Sequence, residues 1–179
     1  MLIDKMDVTY NESFVIYEQL VEKTPDESTI LNFNVTFVVP IEKLFMQFSL
    51  FIQKPNGAYE SVIKTGAMNL CGFLKNQKGN KILRMIFNGD SVNRKFPKTC
   101  PIDPGLYFFH NFKLDEDLVP QVQIFREKFK IDIHFTTKID GTLTEFIKLK
   151  INGEIKDRIK WQEEREKEMK KNKKMESGN

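Results

Sequence analysis

Hydrophobic and polar residues alternate along most of this chain. Between Thr29 and Val39, every second residue from Leu31 onward is apolar, while asparagines and a threonine occupy most of the positions between. A second run with the same period of two extends from Leu44 to Ile52. Because successive side chains of a strand point to opposite faces of a sheet, this period predicts strands with one buried face.

A tight turn separates the second run from a third predicted strand. Residues 55–57 contain the pair Asn-Gly, which accepts the positive φ angle that tight hairpins require. The third strand is predicted over residues 58–68. In residues 69–87 the apolar side chains recur at spacings of three and four, which predicts two short helical turns. Glycines and prolines then predict a loop over residues 88–105.

Strand patterns return in the last third of the predicted fold. Residues 106–112 are apolar or aromatic on both faces, and strict alternation follows over residues 129–135. In residues 143–151, one face is predicted to point inward and consists of Leu143, Ile147, Leu149 and Ile151. Asp140 and Gly141 form the clearest hairpin signal in the chain. At least six strands, joined by turns more than by helices, predict a mainly β fold built as an antiparallel β-sandwich or cup.

Composition divides the chain into three parts. We assign residues 1–28 to an N-terminal segment, residues 29–155 to the sandwich domain and residues 156–179 to a charged C-terminal tail. The tail has nine Lys or Arg and six Asp or Glu, which predicts a solvated helix or a disordered segment. The remaining residues carry 19 charges of each sign, so the body has no general attraction for nucleic acid.

Phenylalanine is the outlier in composition, with 16 residues beside 4 Tyr and 1 Trp. The alternation places many of these rings on apolar faces, so they point inward. They can fill a sandwich core, or they can line a cavity for an apolar ligand. Both interpretations stay open, and composition alone favours the filled core. We expect no membrane span, because polar residues interrupt every apolar run.

Cys71 and Cys100 are the only cysteines and flank a turn-rich segment. Such a pair favours a disulfide, which would stabilise the fold by roughly 3–4 kcal/mol and would place the protein in an oxidising compartment. The first residues lack the continuous apolar stretch of a secretory signal peptide. Two alternatives stay open: a cytoplasmic protein with two reduced thiols, or a secreted protein of which this chain is a mature or truncated form.

Candidates for catalysis or metal binding are few. His110 and His134 lie on predicted strands, and neither has the spacing of a metal site. A cysteine nucleophile with His110 as its base is a further hypothesis, but no nucleophile elbow or glycine-rich oxyanion segment accompanies it. We therefore expect a protein that is not an enzyme, with no catalytic residues, metal or cofactor.

Two Asn-X-Ser/Thr triplets match the acceptor pattern for N-glycans. They begin at Asn11 and at Asn34. Asn34 is the better candidate, because the alternation places it on the polar face of its strand. Glycosylation at these positions would be compatible with secretion.

Residues 33–137 resemble a family of secreted insect proteins of largely uncharacterised function. That family is related to the chemosensory-B proteins and is usually grouped with the ML lipid-recognition superfamily. Two of the family's strands and the hairpin between them resemble FSLFIQKPNGAYESVI in this chain. The family's cysteine and the short helix after it resemble LCGFLKNQKGNKILRMIF. Its CP motif before an aromatic strand resembles KTCPIDPGLYFFHNF, and its last amphipathic strand resembles VPQVQIFREKFKIDIHF.

The resemblance implies an immunoglobulin-like β-sandwich that opens between its sheets to hold a lipid or hydrocarbon. It also implies an extracellular carrier or co-receptor in taste or pheromone detection, with a chemosensory receptor as a possible partner. We expect the inward side chains of the strands to form the ligand-binding wall. The residues expected in this wall are Phe33, Phe37, Phe48, Leu50, Phe109, Phe129, Ile131, Ile133, Phe135, Ile147 and Leu149.

The main alternative is a cytoplasmic protein–protein interaction domain. Its core would be filled by the phenylalanines, and its charged tail would be the contact surface. The two hypotheses differ in whether the interior has space for a ligand.

Overall fold

A computed structural model of the chain describes residues 2–24, 29–76, 80–87, 93–113 and 127–155. Within these residues the protein is mainly β, with ten strands and two short helices. The predicted charged tail, residues 156–179, lies outside the described residues, as does most of the predicted link between the strands at 106–112 and 129–135.

The strands form two antiparallel sheets. In chain order the elements are β1 (Leu2–Tyr10), β2 (Val15–Lys23), β3 (Thr29–Phe37), β4 (Leu44–Gln53), β5 (Tyr59–Lys64), β6 (Met68–Asn69), α1 (Leu70–Asn76), α2 (Lys81–Phe87), β7 (Asn93–Lys95), β8 (Gly105–Phe112), β9 (Glu127–Ile139) and β10 (Thr142–Ile155). Sheet A has the order β1-β10-β9-β4-β5, with β6 also paired to β4, and sheet B has the order β2-β3-β8-β7. The predicted antiparallel sandwich is confirmed.

The sandwich includes the first residues of the chain. β1 pairs with β10 in sheet A, and β2 pairs with β3 in sheet B. The boundary expected at residue 29 therefore does not coincide with an edge of the sheets. β1 and β2 are edge strands with few buried side chains, so their apolar and polar positions alternate only weakly.

Both predicted hairpin turns are present, with different loop lengths. At the first, Gly57 has a φ of 85°, and the amide of Lys54 donates to the carbonyl of Ala58 at 2.7 Å. This is a three-residue loop with its glycine in the left-handed region. At the second, Asp140 and Gly141 have φ angles of 47° and 84°, as a two-residue type I′ turn requires.

The third predicted strand is divided into β5 and β6, both paired with β4. The division occurs at Thr65, whose side-chain oxygen accepts a hydrogen bond of 2.9 Å from the amide of Phe48. The amide of Thr65 in turn donates to the carbonyl of Phe48 at 2.9 Å. A side chain thus takes one place in the ladder of backbone hydrogen bonds.

A β-bulge in β10 changes which side chains face inward. The pairing with β9 shifts between Glu145 and Ile147, so that Phe146 and Ile147 are both buried. Leu143, on the other side of the bulge, is 50% exposed. Its predicted place on the inward face is wrong, because the extra residue of a bulge reverses the phase of the alternation.

The segment between β6 and β7 links sheet A to sheet B. The two predicted helical turns are confirmed as α1 and α2, and each begins at an asparagine cap. Asn69 accepts a hydrogen bond from the amide of Gly72 at 3.0 Å, and Asn80 accepts one from the amide of Leu83 at 3.1 Å. The predicted loop that follows contains the short strand β7, which pairs with β8.

Candidate functional site: an apolar cavity between the sheets

The interior of the sandwich is not completely filled. A cavity of about 100 Å³ lies between the sheets, and its wall comes from both sheets, from α2 and from Phe96 after β7. No charged side chain lines it in the part of the chain that the structure describes. The alternation of apolar residues on facing strands produces this wall, because each strand turns one side toward the other sheet.

Eight of the eleven residues expected in the wall line the cavity. They are Phe33, Phe37, Phe48, Phe109, Ile133, Phe135, Ile147 and Leu149. The other three, Leu50, Phe129 and Ile131, are fully buried but contribute nothing to the cavity surface.

The three residues outside the cavity belong to a filled part of the core. Leu50 is opposite Ile131 on β4 and β9. The ring of Phe129 packs so closely on Gly153 that a Cβ atom there would lie 2.6 Å from it. Side chains therefore meet at this end of sheet A, and the cavity begins farther along the same strands.

Other wall residues were not expected from the sequence. The bulge turns Phe146 inward against the alternation, and Tyr17 and Met6 lie on edge strands whose alternation is too weak to indicate a buried face. Ile86 and Phe87 come from α2, where the helical spacing already indicated a buried face. The remaining members are apolar or aromatic residues of the strands and Phe96: Leu31, Val35, Leu44, Met46, Tyr107, Phe112 and Ile151.

Two aromatic rings, Phe87 and Phe96, line both this cavity and a second pocket, and Phe109 packs against them from the cavity side. The ring centroids of Phe87 and Phe96 are 5.0 Å apart, and Phe109 lies 5.8 Å and 5.1 Å from them, respectively. Phe87 and Phe96 also line the second pocket, of about 210 Å³, together with Arg94 and Lys98. Phe87 and Phe96 are thus shared by an apolar interior and a partly charged outer pocket.

The two tyrosines of the wall differ in their hydrogen bonding. The hydroxyl of Tyr107 donates to the carbonyl of Asp103 at 3.1 Å. Tyr17 is 8% exposed, and its hydroxyl has no hydrogen-bond partner among the described residues. Burial raises the pKa of Tyr17, and burial followed by the charge of Asp103 raises the pKa of Tyr107. Both side chains therefore remain neutral at physiological pH.

The predicted disulfide between Cys71 and Cys100 is confirmed. The sulfur atoms are bonded, and the Cα atoms lie 5.5 Å apart. Cys71 Sγ also accepts a hydrogen bond from the amide of Leu44 at 3.1 Å, which joins α1 to the start of β4. With both sulfur atoms in the bond, neither cysteine offers the free thiol that a cysteine nucleophile requires.

The two histidines take part in contacts on the sheets. His110 lies with Nε2 3.1 Å from Asn34 Oδ1, and its ring stacks on Phe108 with centroids 4.7 Å apart. His134 forms a hydrogen bond with Glu145. No group of three potential metal ligands occurs within the described ranges.

The two glycan acceptor candidates lie in different surroundings. Asn34 is on β3, is half-buried and also donates to the carboxylate of Glu18 at 3.3 Å. Asn11 is exposed in the turn between β1 and β2, where its side chain accepts a hydrogen bond from the amide of Ser13 at 3.0 Å. Asn11 is therefore the more accessible acceptor, although the sequence pattern favoured Asn34.

Across the described residues, neither helix has the length or apolar character needed to cross a membrane.

Residues 46–131 match the model of a family described as a protein of unknown function (DUF1091). The match begins in β4 and ends in β9, so it includes both cysteines, both helices and the aromatic strand β8. It covers just under half of the chain. No curated protein is similar enough to this chain to give a match.

Proposed function

We propose that this protein is a non-enzymatic carrier that binds a lipid or a hydrocarbon-like molecule between its two sheets. The observation that supports this function is an internal cavity whose described wall is apolar and comes from both sheets. The free energy of binding would come from removing apolar surface of the ligand from water, at about 25 cal/mol per Å².

Uptake of such a ligand requires the wall to move. The cavity of about 100 Å³ is smaller than typical ligand sites, which range from about 300 to 1,000 Å³. Ile86, Phe87 and Phe96 are the wall residues that come from the segment between Cys71 and Cys100 rather than from the long strands of the sheets. We assign the movement that admits the ligand to α2 and Phe96, hereafter the lid, with the disulfide as their anchor.

We further propose that the protein acts outside the cell. A disulfide persists in oxidising compartments, and the sequence resembles secreted insect proteins. On the basis of that resemblance, the ligand would be a taste or pheromone compound and the protein its carrier or the co-receptor of a chemosensory receptor. The alternative, a cytoplasmic interaction domain, assigns its contact to the charged tail, which lies outside the described residues.

A pair of matched substitutions tests the cavity as the binding site. Val35→Phe enlarges a side chain of the wall, whereas Val62→Phe makes the same change on β5, where Val62 is 39% exposed. The added ring occupies space that the ligand needs, so a bound probe would overpack the interior at a cost of about 1–3 kcal/mol, and Val35→Phe should weaken binding of a fluorescent aliphatic probe by about fivefold to 150-fold. Val62→Phe should leave the affinity unchanged. Equal affinities of the two variants would show that the probe does not bind between the sheets.

A further inference from the structure

The hydroxyl of Tyr17 is a polar group without a partner in an apolar surrounding. Tyr17 lies on β2, opposite Val35 on β3, and its ring stacks on Phe33 with centroids 6.3 Å apart. The hydroxyl oxygen has essentially no exposed surface and no hydrogen-bond partner within the described residues. A buried donor left without an acceptor is unfavourable, because it has lost its hydrogen bonds to water.

Tyr17 differs from the other polar side chains of the described interior in its position and its hydrogen bonding. Tyr107, the second tyrosine of the wall, already donates to Asp103. Thr136 also has a buried oxygen without a partner in the described part of the chain, but it does not line the cavity. Tyr17 thus combines a ring that lines the cavity with an unused hydrogen-bond donor, whose oxygen does not reach the surface of the closed cavity.

On the basis of the function proposed above, we propose that the ligand carries one uncharged oxygen that accepts a hydrogen bond from Tyr17. A ketone, aldehyde, ester or alcohol oxygen has this chemistry, and the rest of the ligand is a hydrocarbon chain. The cavity must widen to admit a ligand, and widening beside Tyr17 gives the ligand oxygen access to the hydroxyl. The ligand then supplies the acceptor that the protein lacks.

An ionised group is unfavourable beside Tyr17, because the described wall has no charged side chain to pair with it. Among the described residues no cationic side chain lines the cavity, so a carboxylate beside Tyr17 would be a buried charge without a counter-ion. A neutral oxygen avoids this cost while still satisfying the hydroxyl. The cavity is therefore expected to discriminate between a carbonyl compound and a fatty acid anion of the same chain length.

Sheet B sets the orientation of the ligand. Tyr17 is on the edge strand β2, whereas Phe96 of the lid directly follows the opposite edge strand β7, three strand spacings or about 14 Å away. The oxygen would lie at the β2 side, and the hydrocarbon chain would extend toward Phe87 and Phe96. The opposite orientation, with an anionic head group near Arg94 and Lys98 of the outer pocket, is the competing arrangement.

Three probes with the same chain length distinguish these arrangements: dodecane, 2-dodecanone and dodecanoate. Their affinities are measured by displacement of a fluorescent naphthylamine probe from the oxidised protein. We expect the ketone to bind about tenfold more tightly than the alkane, which corresponds to one buried hydrogen bond. Tyr17→Phe should bring the affinities for the ketone and the alkane to about the same value, and a cooperative unfolding transition followed by circular dichroism shows that the variant is folded.

Tyr59→Phe is the matched control, because Tyr59 lies on β5 outside the cavity wall, so the loss of its hydroxyl should leave the preference for the ketone intact. Equal binding of ketone and alkane by the natural protein would show that Tyr17 does not select the ligand, even though the cavity binds apolar molecules. Tightest binding of dodecanoate, lost in Arg94→Gln, would overturn the proposal in favour of the outer pocket. If none of the three probes binds, the proposed function itself is wrong, and with it the role of Tyr17.

Discussion

Removal of the disulfide should destabilise the protein strongly without changing its folded contacts. The perturbation is the double substitution Cys71→Ser and Cys100→Ser. Serine is chosen because its oxygen can still accept the hydrogen bond that the amide of Leu44 donates to Cys71 Sγ. The substitution therefore removes the covalent link and keeps the polar contact at the start of β4.

The expected magnitude follows from the length of chain that the bond closes. The cysteines are 29 residues apart, and the chain-entropy model gives roughly 3–4 kcal/mol for a loop of this length. A domain of this size is typically stable by about 5–15 kcal/mol, so the loss is a large share of the total. Because the effect acts on the unfolded state, each single substitution should cost about as much as the double one.

Guanidinium unfolding of the oxidised natural protein and of the three variants measures these free energies. The natural protein treated with a reductant is the control, and it should unfold at the same denaturant concentration as the double variant. A loss below about 1 kcal/mol would refute the entropic account of the lid anchor. Unequal costs of the single and double variants would also contradict it, since one missing sulfur already removes the bond.

Two further predictions concern the packing at Gly153 and the buried hydroxyl of Tyr17. Gly153→Ala should lower the free energy of unfolding by about 3 kcal/mol, because a Cβ atom would lie 2.1 Å from the backbone oxygen of Leu2. In urea unfolding the control is Gly66→Ala, where nothing lies within 4 Å of the added Cβ atom, and equal stabilities of the two variants would contradict the clash. Burial raises the pKa of Tyr17, so its folded form holds the proton after the unfolded form has lost it, and stability should fall by up to about 1.4 kcal/mol per pH unit above about pH 10. Unfolding measured between about pH 10 and 11 should show a shallower fall in Tyr17→Phe, and an identical slope would contradict this assignment.

The strands with one buried face were predictable from the chain. Their period of two is a local property, and it identified β3, β4 and β9 together with the hairpin at Asp140. It was not reliable where the backbone departs from regular pairing. The bulge in β10 exchanges Leu143 for Phe146 on the inward face, and the sequence marks the position only by Glu145 on the apolar phase and by two consecutive apolar residues, Phe146 and Ile147.

The cavity itself was only partly predictable, because alternation indicates a face and not the distance to the opposite sheet. Ile131 and Ile133 have the same phase on β9, yet only Ile133 reaches the cavity. The interior is filled where Phe129 lies over Gly153, a contact between β9 and β10 that depends on the pairing of two strands. Contributions from Tyr17 and from the lid depend on how distant segments meet in space.

The central claim is that the space between the sheets takes up one hydrophobic molecule. Native mass spectrometry of the oxidised protein, purified from an oxidising host and incubated with 2-dodecanone, tests it most directly. The account predicts a folded species whose mass is increased by one ligand, and a reduced fraction of that species in Val35→Phe. A folded natural protein that keeps its ligand-free mass at saturating ketone would contradict the claim and would favour a core without a binding site.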